Sequence, residues 1–184
     1  PQVQHTFTAD GTYKVTLTVT DSAGDISIFD TTVVVLQAID AFPVKARLKN
    51  RLSDTDDLQI SMIVNDPSKA PGTLWPRTPQ QAREALRDGE FEAKVYKVTI
   101  GTTVLPEVVL DRRASFKSSN IQFKLNLLRG EIQLRVKGVE LNIAAESTTT
   151  EIVLPVTVQT GDAIYRGNFI LEYTAKNGSG KLQR

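Results

Sequence analysis

Gly11-Thr-Tyr-Lys-Val-Thr-Leu-Thr-Val-Thr20 is the stretch on which the fold turns. Tyr13, Val15, Leu17 and Val19 alternate with Lys14, Thr16, Thr18 and Thr20. A period of two places one set on a buried face and the other in water, and the β-branched content suits a pleated strand. Asp21-Ser-Ala-Gly24 then signals a turn, with Gly24 free to take positive φ. Ile26–Phe29 and Thr31–Leu36 supply a second apolar run. Its alternation slips around Asp30, so a bulge or kink is expected there.

Upstream, Asp10-Gly-Thr-Tyr13 resembles the tyrosine corner of Greek-key sandwiches. The wider series His5-x-Phe7, Gly11-x-Tyr13-x-Val15-x-Leu17-x-Val19-x-Asp21 and Gly24 resembles the C-terminal half of a PKD (polycystic kidney disease) domain, over about residues 1–36. The Trp-x-Phe-Gly-Asp-Gly element of the first half of such domains has no room before Pro1. The resemblance implies an immunoglobulin-like, extracellular or cell-surface spacer or interaction module with no chemistry of its own. It also implies that the complementary strands come from another protein chain or another domain of the same parent. Tyr13, Val15, Leu17 and Val19 are then the expected assembly surface, because such side chains do not stay wet.

Strand patterns resume after a short linker over 37–42. Val44, Ala46 and Leu48 alternate with Lys45, Arg47, Lys49 and Arg51, and Leu58, Ile60 and Met62 with Gln59, Ser61 and Ile63. Ile121, Phe123, Leu125 and Leu127 form a half-buried strand that Leu128–Glu131 turns into Ile132, Leu134 and Val136. At Gly138 the phase shifts to Val139, Leu141 and Ile143, so a bulge or break is expected. Pro155 lacks an amide donor and predicts an edge position or a late start for the strand Ile152–Val158. Tyr165, Gly167, Phe169, Leu171 and Tyr173 give the last alternation, and the glycine-rich end over 176–184 reads as a flexible tail.

One helix is expected near 78–88. Thr78 offers a capping hydroxyl, Pro79 starts the first turn, Gln81 completes a capping box and Gly89 closes the helix. The chain is therefore read as all-β: an immunoglobulin-like partial sandwich over 1–36, then an antiparallel β-sandwich over 43–175 with one short helix.

The composition narrows function more by exclusion than by indication. Lys and Arg number 22 against 21 Asp and Glu, for a net charge of +1, so no global field favours nucleic acid. Cysteine is absent, which excludes disulfides, thiolate catalysis and cysteine-bound metals. No apolar run is long enough to span a membrane as a helix, and the start lacks a signal-peptide pattern, so any secretion signal lies upstream. His5 is the single histidine and no Gly-x-Ser-x-Gly elbow exists, so nucleophilic triads are not expected and the chain is read as a non-enzyme.

Three weaker candidates remain, each with a plainer reading beside it. Asp54, Asp56 and Asp57 crowd a turn of the kind calcium favours, but without EF-hand spacing, and an ordinary solvated turn explains them. Asp10, Asp21 and Asp25 in the first segment call for the same caution. Lys45, Arg47, Lys49 and Arg51 form a basic row suited to an acidic polysaccharide or an acidic protein patch, or simply a wet face or a guarded edge. Trp75 in a proline-rich loop is a sugar-stacking platform if exposed, with Tyr96 and Tyr165 as companions. Buried, it caps the sandwich over Ala82 and Leu86. The functional reading is a structural or adhesive assembly segment of a modular surface protein; the alternative is a carbohydrate-binding accessory module of a secreted hydrolase.

Overall fold

The computed structural model describes residues 4–7, 11–50, 55–143, 149–161, 163–174 and 179–183. It divides into two compact units, Pro1–Gln37 and Ala38–Arg184.

The first unit is an antiparallel hairpin of β1 (Gly11–Thr20) and β2 (Ile26–Val35). The Asp21 carboxylate closes its turn by accepting the amides of Ala23 at 2.8 Å and Asp25 at 3.0 Å, and Gly24 takes φ of +91°. Pairing runs without a break from Gly11–Val35 to Thr20–Ile26, so the bulge expected near Asp30 is absent. Asp30 lies directly across from Thr16, accepts its hydroxyl at 2.7 Å and pairs with the Lys14 ammonium at 2.7 Å. Those two contacts, Lys14 foremost, hold its carboxyl below the ordinary value. The slip in the pattern is one of composition: Ile26, Ile28 and Val34 share a face with Asp30, so both faces carry apolar side chains.

The second unit begins with β3 (Ala38–Asn50) and β4 (Asp56–Val64), followed by the helix α1 (Pro79–Arg87). Next come β5 (Val95–Ile100), β6 (Thr103–Val104), β7 (Val108–Val109) and β8 (Ser115–Lys117). The chain continues through β9 (Ile121–Asn126), β10 (Glu131–Val139), β11 (Glu151–Thr160), β12 (Ala163–Thr174) and β13 (Ser179–Leu182). The strands order as β6-β5-β11-β12-β13-β3-β4-β10-β9-β8, with β7 added on β5. Tyr96 of β5 and Phe123 of β9 lie near opposite ends of that order, yet their rings are 5.3 Å apart. The sheet therefore curls over and closes its apolar face on itself as two layers. Met62, Val98, Ile100, Leu134, Val136, Val156, Val158, Phe169 and Leu171 fill the space between, each at most 2% exposed.

The all-β sandwich with one short helix is the observed architecture. Helix α1 has Thr78 as its cap, with the Gln81 backbone amide donating to the Thr78 hydroxyl at 3.3 Å and the Thr78 backbone amide donating to the Gln81 side-chain Oε1 at 3.0 Å. At its other end Glu90 N bonds Ala85 O and Gly89, at φ of +70°, bonds Leu86 O. The turn after β9 forms as expected, and the register of β10 against β4 shifts between Val136 and Val139, around Gly138.

Four further expectations need correction. The segment read as a linker over 37–42 is strand from Ala38 onward: Ala38–Asp40 pair in parallel with Ile164–Arg166, then Ala41 and Phe42 pair with Val64 and Ile63. The end read as a flexible tail contains β13, wedged between β12 and β3, where a Cβ on Gly180 would stand 3.4 Å from Leu171 and Leu48. Glycine there admits a third backbone between two packed strands. Pro155 sits in an interior strand; β5 pairs only with Val156–Gln159, so the missing amide falls where that ladder has ended. Val44 is 48% exposed, because a shift between Pro43 and Lys45 breaks its parity with buried Ala46 and Leu48.

Candidate functional site

Two surfaces concentrate features that packing leaves over. The first is the hairpin. Its one face sets Tyr13, Val15, Leu17 and Val19 across from Val33, Thr31, Phe29 and Ser27. Tyr13 and Val15 are half-buried, but Leu17 is 54% exposed and Phe29 64%. On the other face Ile28 and Val34 are 64% and 60% exposed. Near the hairpin's open end His5 meets Phe7 edge-on at 4.7 Å, and Phe7 lies 4.6 Å from Tyr13. His5 thus joins an aromatic stack.

The second surface is the polar face of the sheet across β3, β4, β10, β9 and β8. Lys45, Arg47 and Lys49 project from β3, while Arg51 lies outside the described residues. Strand β3 is paired on both sides, so its cations guard no edge. Across the sheet the register aligns Arg47, Gln59, Arg135, Gln122 and Lys117 in one row. A second row aligns Lys45, Ser61, Gln133 and Lys124. These rows, Arg47 apart, line a groove of about 490 Å³. A smaller one of about 180 Å³, sharing Gln59 and Arg135, continues past Arg47, Lys49 and Lys137. The sequence placed only the β3 cations here; the others come from strands far along the chain, as Lys137 does, and nothing local to them announces a common surface.

The acidic turn serves the backbone. Asp54 lies outside the described residues. Asp56 is buried and accepts the Leu141 amide at 3.0 Å, and Asp57 accepts the Gly138 amide at 3.1 Å. Burial pushes the Asp56 carboxyl up, against the Leu141 amide and aided by the neighbouring charges of Asp57 and Glu140. Among the described residues no group of three or more His, Cys, Asp or Glu is placed to hold a metal ion. The carboxylates of Asp56 and Asp57 tie the irregular end of β10 to β4.

Trp75 is half-buried, and its ring is met by the Arg77 guanidinium 4.6 Å from the centroid. That guanidinium also lies 5.1 Å from the Phe91 ring. Arg77 is 7% exposed and grips Glu90, which additionally accepts the Gly72 amide. Tyr96 and Tyr165 are each 1% exposed, and the Tyr165 hydroxyl accepts the Leu74 amide at 2.8 Å. Burial removes both tyrosines as sugar-stacking companions of Trp75. Arg77 and Glu90 escape sequence reading, since they flank α1 and meet only after the loop folds back.

The family model for the PKD domain matches residues 1–35. No curated protein and no solved structure matches the chain. PKD domains are generally non-catalytic modules and typically extracellular. Among the described residues no helix is long and apolar enough to cross a membrane.

Proposed function

We propose that this chain is a non-enzymatic, extracellular segment of a larger modular surface protein, with structural or adhesive work in assembly. In this reading residues 1–36 are the closing half of a PKD-type sandwich. Strands from another chain, or from another domain of the parent, complete it. The observation that carries the reading is the hairpin with apolar side chains open on both faces. A two-stranded ribbon is marginal alone in water. Covering a side chain such as Leu17, Ile28 or Phe29 contributes about 1.5–3 kcal/mol each, and addition of strands supplies both the cover and the missing ladder bonds. The order of glycine, tyrosine and alternating strand in Gly11–Val19 supports the assignment to the closing half.

Amide hydrogen exchange tests this by comparing the 184-residue chain with the parent protein as it occurs on its surface. The expectation is slow exchange along the outer edges of β1 and β2 in the parent and fast exchange in the isolated chain. Equal, fast exchange in both overturns the assembly reading.

A further inference from the structure

We infer that the polar face of β3, β4, β10, β9 and β8 is a binding groove for an acidic polysaccharide, a linear glycan bearing carboxylate or sulfate groups. The inference stands apart from the role given to the hairpin. The net charge of the chain is only +1, yet the two adjoining grooves gather Lys45, Arg47, Lys49, Lys117, Lys124, Arg135 and Lys137. The carboxylates lining them are Glu131, which is 6% exposed, and Asp57, which accepts the Gly138 amide. Asp57 stands across from Lys49 in the register, and the ion pairs Lys14–Asp30, Arg77–Glu90, Arg87–Asp88 and Lys97–Glu107 lie outside the grooves. An ordinary solvated face mixes the two signs, since like charges gathered on one face of a sheet repel. Two carboxylates against seven cations leave an excess of five positive charges on this face, and an anionic ligand offsets it.

The spacing favours a glycan among anionic ligands. In the row Arg47, Gln59, Arg135, Gln122 and Lys117, cation and amide alternate strand by strand. With strands ~4.8 Å apart, the charges recur at about 10 Å with a side-chain amide between each pair. A polymer that alternates acidic groups with hydroxyl-bearing stretches matches such a row, with arginine forks taking the carboxylates or sulfates and amides taking the hydroxyls. Nucleic acid fits less well, for the groove offers Phe116 and Phe123 as its aromatics and Phe123 is 1% exposed, whereas single strands need a series of stacking platforms. An acidic peptide fits less well too. Strands β3, β4, β10 and β9 are paired on both sides, and the one strand of the groove at the sheet's end, β8, offers only three residues for strand addition.

Affinity electrophoresis and calorimetry of the 184-residue chain test this against polygalacturonate, dextran sulfate, neutral dextran and poly-glutamate at low salt. The expected result is binding of polygalacturonate or dextran sulfate, whichever anion the groove takes, with none of neutral dextran. That binding should weaken steeply with salt. Arg47→Gln with Arg135→Gln should weaken it at least tenfold, while Arg166→Gln, an exposed cation on β12 outside the groove, leaves it within twofold. Unchanged melting of both variants keeps the comparison fair. Failure to bind either acidic glycan, or equal loss with Arg166→Gln, overturns the inference. Tighter binding of poly-glutamate replaces the glycan by an acidic protein partner.

Discussion

The Arg77 guanidinium holds the Glu90 carboxylate by two bonds, 2.7 Å from Nη1 to Oε2 and 2.6 Å from Nη2 to Oε1. A third bond from Nη2 reaches Thr73 O at 3.2 Å, and the rings of Trp75 and Phe91 lie against the same group. This one cation ties the loop before α1 to the segment after it. Glu90→Gln leaves that buried charge without its counterion, and we expect a loss of about 3 kcal/mol in urea unfolding. Arg77→Lys should not restore the stability, because an ammonium cannot make the paired bonds. A Glu90→Gln variant as stable as the parent protein refutes this account.

The same pair predicts a pH dependence. Burial pushes the Glu90 carboxyl up, but the Arg77 guanidinium and the Gly72 amide outweigh it, leaving the group below its ordinary value. A lowered folded value means the stabilisation is present above the unfolded value, about 4.3, and is lost as pH falls through the folded one. Glu90→Gln should flatten the stability profile in that acid window. A slope unchanged by the substitution contradicts the assignment.

Asp56 has the opposite sign. Its carboxyl is raised by burial and the nearby Asp57 and Glu140, so it favours folding at low pH and that contribution fades as pH rises through the folded value. Asp56→Asn keeps an acceptor for the Leu141 amide and removes the desolvated charge. We expect a gain of up to about 1 kcal/mol at pH 7, within the usual range for such polar replacements. Thermal melts across pH check it; a clear loss at pH 7 would mean that the charge itself anchors Leu141.

Gly130 ends the β9–β10 turn at φ of +60°, and its carbonyl accepts the Val64 amide at 2.7 Å. A Cβ there would stand 2.5 Å from Val64 O and 2.8 Å from the Pro76 ring. Gly130→Ala combines left-handed strain with a backbone clash, and about 2–4 kcal/mol of destabilisation is expected. Gly161→Ala, where nothing lies within 4 Å, is the control and should change stability by less than about 0.5 kcal/mol.

Thr78→Ala removes the acceptor for the Gln81 amide in the capping box. The expected loss is about 1 kcal/mol, read by chemical unfolding, and Thr78→Ser should recover most of it. No loss on removing the hydroxyl would show that the helix is held by its packing alone.

Much of this architecture was legible from local rules. The capping box at Thr78 and Gln81, the turn at Leu128–Glu131, the shift at Gly138 and the buried sets of β4, β9, β10 and β12 depend on neighbours a few residues apart. Strand β5 was missed although Tyr96, Val98 and Ile100 alternate and are buried, since so short a run is distinguished only by its pairings with β11, β6 and β7. The strand at 179–182 was missed because Gly180 serves a close approach that only its partners define.

Sequence by itself determined the alternation of the longer strands, the helix, the resemblance to a PKD domain over the first residues and the basic row of β3. Tertiary structure alone decided what those pieces meet. It carried Arg135, Lys117 and Lys124 beside Arg47 and Lys45 by cross-strand register, and brought Glu90 under Arg77 by folding a loop back. The reason is physical: periodicity says which way a side chain points, whereas register and layer closure say what faces it, and these arise from pairings between residues far apart in the chain.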